Sequence, residues 1–196
     1  TVVSLQEAAR VGFDMGSIIG CPWSPTDQDI ELAGKETAVG VKANYFTNSG
    51  TDIPVIQQLI TEIHDTGEAY GPTEEVGSQL YNRGVYQVAL TVEAIRLAAA
   101  EFGHPVNGEQ VKWGFEQLTS ESLDAVGLTG LVPPTFGITA ENHMGTALAR
   151  VHEFDGEKMV PIGDWTSAYE DLVGGLIVEA AEAFMAQNPE LYEASE

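Results

Sequence analysis

The stretch Gly127–Trp165, GLTGLVPPTFGITAENHMGTALARVHEFDGEKMVPIGDW, decides how the rest of the chain is read. It holds a Pro-Pro pair, a polar loop around Glu141-Asn142-His143, and two apolar runs separated by Asp155-Gly156. A tight hairpin turn needs residues that tolerate positive φ, and Asp-Gly between strand-like runs is among the stronger short signals of one. The stretch therefore predicts that the fold closes in antiparallel strands.

Upstream of it the chain alternates helix and strand. Asn107 and Gln110 stand at capping-box spacing before Val111, Phe115 and Leu118, which predicts a short amphipathic helix. Before that, Val76, Leu80, Gly84, Val88, Val92 and Ile95 recur at helical spacing to about Phe102, with Thr73 as the expected N-cap. The opposite side of this helix is also rich in Ala, Val and Leu, so it is expected to be buried, with Gly77 and Gly84 allowing close packing. Ile56, Leu59, Ile60 and Ile63 form another stripe, capped by Asp52 and stopped by Gly67. Val39, Val41, Ala43 and Tyr45 alternate along a strand from Ala38 to Phe46. Ser17 to Gly20 reads as a short buried strand after a first helix with a Ser4/Glu7 capping box and a stop at Gly12. Downstream of Trp165, Thr166 is the expected cap of a last helix carrying Tyr169, Leu172, Val173, Leu176 and Ile177 on one face, with an acidic tail from Asn188. Helix into strand, repeated, is the rhythm of an α/β layer.

The first strand runs into CPWSPTDQDIELAG. Carboxyl ends of strands in open α/β sheets face the ligand crevice, so Trp23 and Ser24 stand where a ligand can meet them. Trp23 there is either a ligand contact or a lid on the core.

Eight basic against 30 acidic residues give a net charge of -22, which repels phosphate backbones and anionic lipid surfaces; nucleic acid is not an expected partner. No apolar run is long enough to span a bilayer, and TVVSLQEAARVGF at the start lacks the basic and apolar regions of a signal peptide. Cys21 is the only cysteine, which leaves no internal disulfide and reads as a small buried hydrophobe. There is no phosphate-binding loop, nucleophile elbow or paired-histidine metal helix, and His64, His104, His143 and His152 lack ligand-pair spacing. The expectation is no enzyme, no cofactor and no metal.

GSIIGCPWS at residues 16–24, YNRGVYQVALTVEAIRLA at 81–98 and the stretch 127–165, in that order, resemble the C-terminal half of ABC-transporter solute-binding proteins of the branched-chain amino acid type, the type I periplasmic binding proteins. The resemblance runs from Leu5 to Trp165. It implies an α/β fold of two lobes, parallel sheets flanked by helices, closing over a ligand and incomplete within this chain. Residues 1–50 would belong to the second lobe, 51–130 to the first, and 131–196 to the hinge return, the late strands of the second lobe and a last helix. It further implies an extracytoplasmic location, the membrane subunits of an importer as partners, and a missing N-terminal half carrying the main ligand anchors. The family position that holds an amino acid's ammonium group with an acidic residue matches Val39, which offers no acceptor. That points to a less cationic solute, a carboxylate, amide or aromatic acid rather than an amino acid held in the usual way, with Trp23, Ser24 and Tyr81 as cleft residues. A flavodoxin-like enzyme half and a sensory domain of the receptor fold are the alternatives.

Overall fold

Val41, Ala43 and Tyr45 are fully buried, and β2 (Lys42–Tyr45), which carries the last two, is an inner strand of the sheet. The computed structural model describes residues 1–167 and 169–189. The strands run in the order β1 (Ile19–Gly20), β2, β3 (Leu148–Phe154) and β4 (Met159–Pro161). β1 pairs with β2 in parallel, Ile19 opposite Lys42, whereas β2–β3 and β3–β4 are antiparallel, with Ala43 opposite His152 and Phe154 opposite Met159. The sheet is thus mixed. The hairpin expected at Asp155-Gly156 joins β3 to β4. Gly156 takes φ 107° and the Asp155 carboxylate accepts from the amides of Glu157 and Lys158 at 2.8 and 2.9 Å. Those bonds hold the Asp155 carboxyl below its ordinary range.

Helices α1 (Val2–Arg10), α2 (Asp27–Ala33) and α3 (Lys35–Ala38) supply Leu5, Ile30, Ala33 and Ala38 to a core completed by Val41, Ala43, Tyr45, Phe154 and Met159. Burying a leucine or isoleucine side chain contributes roughly 1.5–3 kcal/mol, so this cluster outweighs any surface contact nearby. A second apolar cluster is separate from the first: Ile53, Ile56 of α4 (Pro54–Leu59), Leu123 of α7 (Ser120–Ala125), Leu128, Leu131 and Val132. The long helix α5 (Gln79–Phe102) packs Val85, Tyr86 and Leu90 against this second cluster, and burial pushes the Tyr86 hydroxyl up to about 12. α6 (Gly108–Phe115) has the expected Asn107/Gln110 capping box and lies so close to α5 that a Cβ on Gly114 would stand 2.0 Å from the Ala94 carbonyl oxygen.

Several elements start elsewhere than the pattern predicts. α1 is capped at Thr1, which puts Ser4 inside the helix. Ile53, not Asp52, precedes α4. Gly77 takes φ 86°, which confines Thr73–Glu75 to one 3-10 turn and makes Ser78 the cap of α5, its hydroxyl accepting from the Tyr81 amide. Gly77 also approaches Thr51 too closely for a Cβ, whereas a Cβ at Gly84 meets open space, so only Gly77 serves close packing. Ile19 of the edge strand β1 is 62% exposed, so this strand is not the buried one expected, and Cys21 is exposed as well. TSESLDAVG forms α7 with its own capping box from Thr119 and Ser122.

α5 is covered on one side only, where burial on most sides is expected. Leu80, Val88, Val92 and Ile95 face outward, Val88 at 63% exposure, while Gln79, Asn82, Arg83, Glu93, Ala94 and Ala98 are buried. Among the described residues, 167 and 169–189 form a separate compact unit. There α8 (Glu170–Gln187) follows Tyr169 at φ 50°, with Leu172, Val173, Leu176 and Ile177 exposed; Thr166 is not its cap. The tail beyond residue 189 lies outside the described residues.

Candidate ligand-binding site

α5 opens with three buried polar side chains on one face, Gln79, Asn82 and Arg83, the i, i+3, i+4 spacing that stacks residues along a helix. They meet the two loops that leave the carboxyl ends of β1 and β2. From the first loop, the Pro22 carbonyl accepts from Gln79 Nε2 at 3.2 Å and from Arg83 Nη2, and Asp27 accepts from the Gln79 amide at 2.8 Å. From the second, the carbonyls of Asn48 and Gly50 both accept from Asn82 Nδ2 at 3.0 Å.

Arg83 is 3% exposed and sits in the corner between two aromatic rings, its guanidinium carbon 3.9 Å from the Trp23 ring centre and 4.3 Å from that of Phe46. Trp23 and Phe46 themselves meet edge to face. The rings attract a cation through their quadrupoles, but neither supplies a hydrogen-bond acceptor in the guanidinium plane. Among the described residues no carboxylate pairs with Arg83, and its Nε and Nη1 have no partner. Burial lowers its pKa, with Tyr45 and Cys21 acting in the opposite sense. Thr47 Oγ1, Asn48 Oδ1, Gln79 Oε1 and Asn82 Oδ1 are buried without partners as well. Each unmatched buried polar group costs about 1–3 kcal/mol, so this cluster is poised for a polar partner rather than built for stability.

The structure separates the four residues expected at the site. Trp23 is at the cluster, 61% exposed on its outer side. Ser24 is next to it, but its hydroxyl donates to Asp29 at 3.0 Å and meets the Thr1 hydroxyl, which makes it part of the α2 cap. Tyr81 points to the other side of α5, where its hydroxyl meets His64 Nε2 at 3.0 Å and burial raises its pKa. Val39 precedes β2 instead of lying in it, beside Gly156 of the hairpin and at the opposite strand end from Phe46, so it has no part in this cluster. Arg83 was not expected. The signal for it was present: three polar residues at 79, 82 and 83 on one face at the start of the helix.

On its outward face α5 forms, with α4, a groove of about 640 Å³ lined mainly by Val55, Leu59, Leu80, Val85, Val88 and Val92. Among the described residues no group of His, Cys, Asp and Glu could hold a metal ion, and no helix is long and apolar enough to cross a membrane. His143 of the polar loop meets Glu116 at 3.2 Å on the surface.

A mixed sheet flanked by helices, with helix and loop ends gathered at the carboxyl ends of its parallel strands, is the α/β fold of the periplasmic-binding-protein type, and solved structures of that kind match it. The chain is similar to the crystal structure of an ABC transporter permease from the Pseudomonas fluorescens group, with 35% identity and a TM-score of 0.86 over 96% of this chain and 46% of that one. It shares its fold with a branched-chain amino acid ABC transporter from Thermus thermophilus with bound valine, at 21% identity and TM-score 0.63 over 86% of this chain and 43% of that one. The same holds for an ABC transporter substrate-binding protein of Aeropyrum pernix, at 17% identity, TM-score 0.63, and 86% and 42% coverage. The chain therefore spans less than half the length of the proteins it matches. No protein-family profile and no curated protein sequence matches it.

Proposed function

We infer that the chain is part of an extracytoplasmic solute receptor, which holds a small organic ligand between two α/β lobes and delivers it to the membrane subunits of an ABC importer. The observation that carries this reading is the likeness to an ABC transporter protein across 96% of the chain at 35% identity. The two separate apolar clusters support it, one around the sheet and one around α4 and α7, as the cores of the second and first lobes. In this reading the loops after β1 and β2 and the start of α5 meet where the ligand lies, with Trp23 as a wall of the cleft. The groove along the outward face of α5 is the surface on which the N-terminal half of the same protein docks, since an apolar strip of that size is rare on a free surface.

Thermal unfolding of the full protein, read against small carboxylates, amides and amino acids, tests the reading. A bound solute stabilises by RT ln(1 + [L]/Kd), about 2.7 kcal/mol at a hundredfold excess over Kd. Turnover of a substrate with no stabilising solute contradicts it.

A further inference from the structure

We propose that Arg83 is the anion anchor of this site and that the solute is a small organic carboxylate with an apolar body and no required ammonium group. The proposal rests on the receptor reading and adds the ligand's chemistry to it.

The guanidinium is buried, carries a positive charge and has no carboxylate from the described chain to balance it. Trp23 and Phe46 pack against it from two sides of a corner, and neither ring offers an acceptor in the guanidinium plane, so its free N–H groups call for an in-plane acceptor from elsewhere. Nη2 has two N–H groups and uses one on the Pro22 carbonyl. The second points along one edge, beside either Nε or Nη1, and both of those nitrogens are without partners. Whichever edge Pro22 takes, the other keeps two parallel N–H groups, the fork that matches the two oxygens of a carboxylate. A neutral amide fills one prong and leaves its own N–H facing the second. An ammonium group meets like charge. Trp23 lies against the guanidinium from a surface loop and is itself largely exposed, so in this proposal the solute reaches the free N–H groups by displacing that loop, and its apolar body replaces the loop contacts. The rest of the molecule favours the same choice. The chain carries a charge of -22, so an anion is held only where a cation is buried and screened from that field, and Arg83 is such a cation.

The test uses the full protein with two series on one body each: benzoate, benzamide and benzylamine, which exchange carboxylate, amide and amine, and isovalerate, valine and isobutylamine, which exchange carboxylate, amino acid and amine. Calorimetric titration is expected to show benzoate or isovalerate binding at least about tenfold more tightly than the amide or amine of its series, with valine no tighter than isovalerate. Arg83→Lys, which keeps the charge and loses the fork, is expected to weaken the carboxylate about tenfold or more and to leave any residual amide binding unchanged. The comparison within each series needs no variant, so it stands even where Arg83→Lys fails to fold. Equal binding of carboxylate and amide, tighter binding of an amine or of valine, or an Arg83→Lys protein with wild-type carboxylate affinity overturns the anchor while leaving the receptor reading intact. Binding of none of the six probes overturns the anchor, and absence of binding across amides, amino acids and other acids as well removes the receptor reading with it.

Discussion

In its C-terminal half α5 buries Glu93, a carboxylate whose two oxygens are both taken by Arg96 on the next turn at 2.6 and 2.7 Å. In its N-terminal half it buries Arg83, whose charge has no counter-ion among the described residues and whose Nε and Nη1 have no partner. The same helix therefore solves the problem of buried charge once and leaves it open once. The solved end packs Ala94 against Gly114 of α6; the open end meets loops from two different strands. The difference teaches where the molecule is scaffold and where it is receptive, because a buried polar group without a partner persists only where something else supplies one or where it serves a purpose.

The largest effect is expected at the scaffold end. Gly114→Ala places a methyl group 2.0 Å from the Ala94 carbonyl oxygen, which is backbone and cannot step aside. Urea denaturation should show a loss of about 3 kcal/mol; a loss under half of that would mean that α5 and α6 separate easily and that this end is not rigid. Arg96→Ala should also destabilise, because it strands a buried carboxylate, and adding Glu93→Gln should recover part of the loss in a double-mutant cycle.

His152 sharpens the contrast from inside the sheet. It is fully buried against Tyr45, ring centres 4.9 Å apart, with Nε2 unpartnered, and burial lowers its pKa. Unlike Arg83 it can shed its charge. With the native pKa depressed, the unfolded chain takes up a proton that the native state refuses. The stabilising contribution is then complete above about pH 6.5, the unfolded value, and is lost as pH falls below it. The stability-versus-pH curve should flatten between pH 5 and 7 in His152→Phe; an unchanged slope there would assign the titration to another group.

At the receptive end the expected effect on stability is small. Arg83→Met removes unmatched donors and keeps the volume, and Gln79 still donates to the Pro22 carbonyl, so stability without solute should stay within about 1 kcal/mol of wild type. A loss of several kcal/mol would make Arg83 a structural clamp, and the two ends of α5 would no longer differ. Smallest of all, Gly84→Ala on the outward face of α5 meets nothing within 4 Å. It should raise stability by about 0.5–1 kcal/mol through helix propensity alone.

Much of this arrangement was legible where local chemistry dictates local structure. The Asn107/Gln110 box, the Asp155-Gly156 hairpin and the loop after the first strand all stand where residue types at short spacing place them. The start of α5 was not legible, because positive φ at Gly77 is set by the close approach of Thr51, a contact from another part of the chain. Hydrophobic periodicity told which side of α5 is apolar but not which side this chain covers. The stripe Leu80, Val88, Val92 lies outward since its covering surface is not supplied by the described residues. Val39 was misplaced for a simpler reason: the alternation from 39 to 45 continues smoothly, while Gly40 at φ 88° breaks the strand between the first member and the rest.

Hydrogen–deuterium exchange of the full protein with and without saturating benzoate tests most directly the claim that the N-terminal end of α5 is receptive and its C-terminal end is scaffold. Protection is expected to rise at residues 21–25, 46–50 and 79–83, the two loops and the first turn of α5, and to stay unchanged at 94–102, which already pack against α6. Protection rising elsewhere while those three segments stay as they were would contradict it.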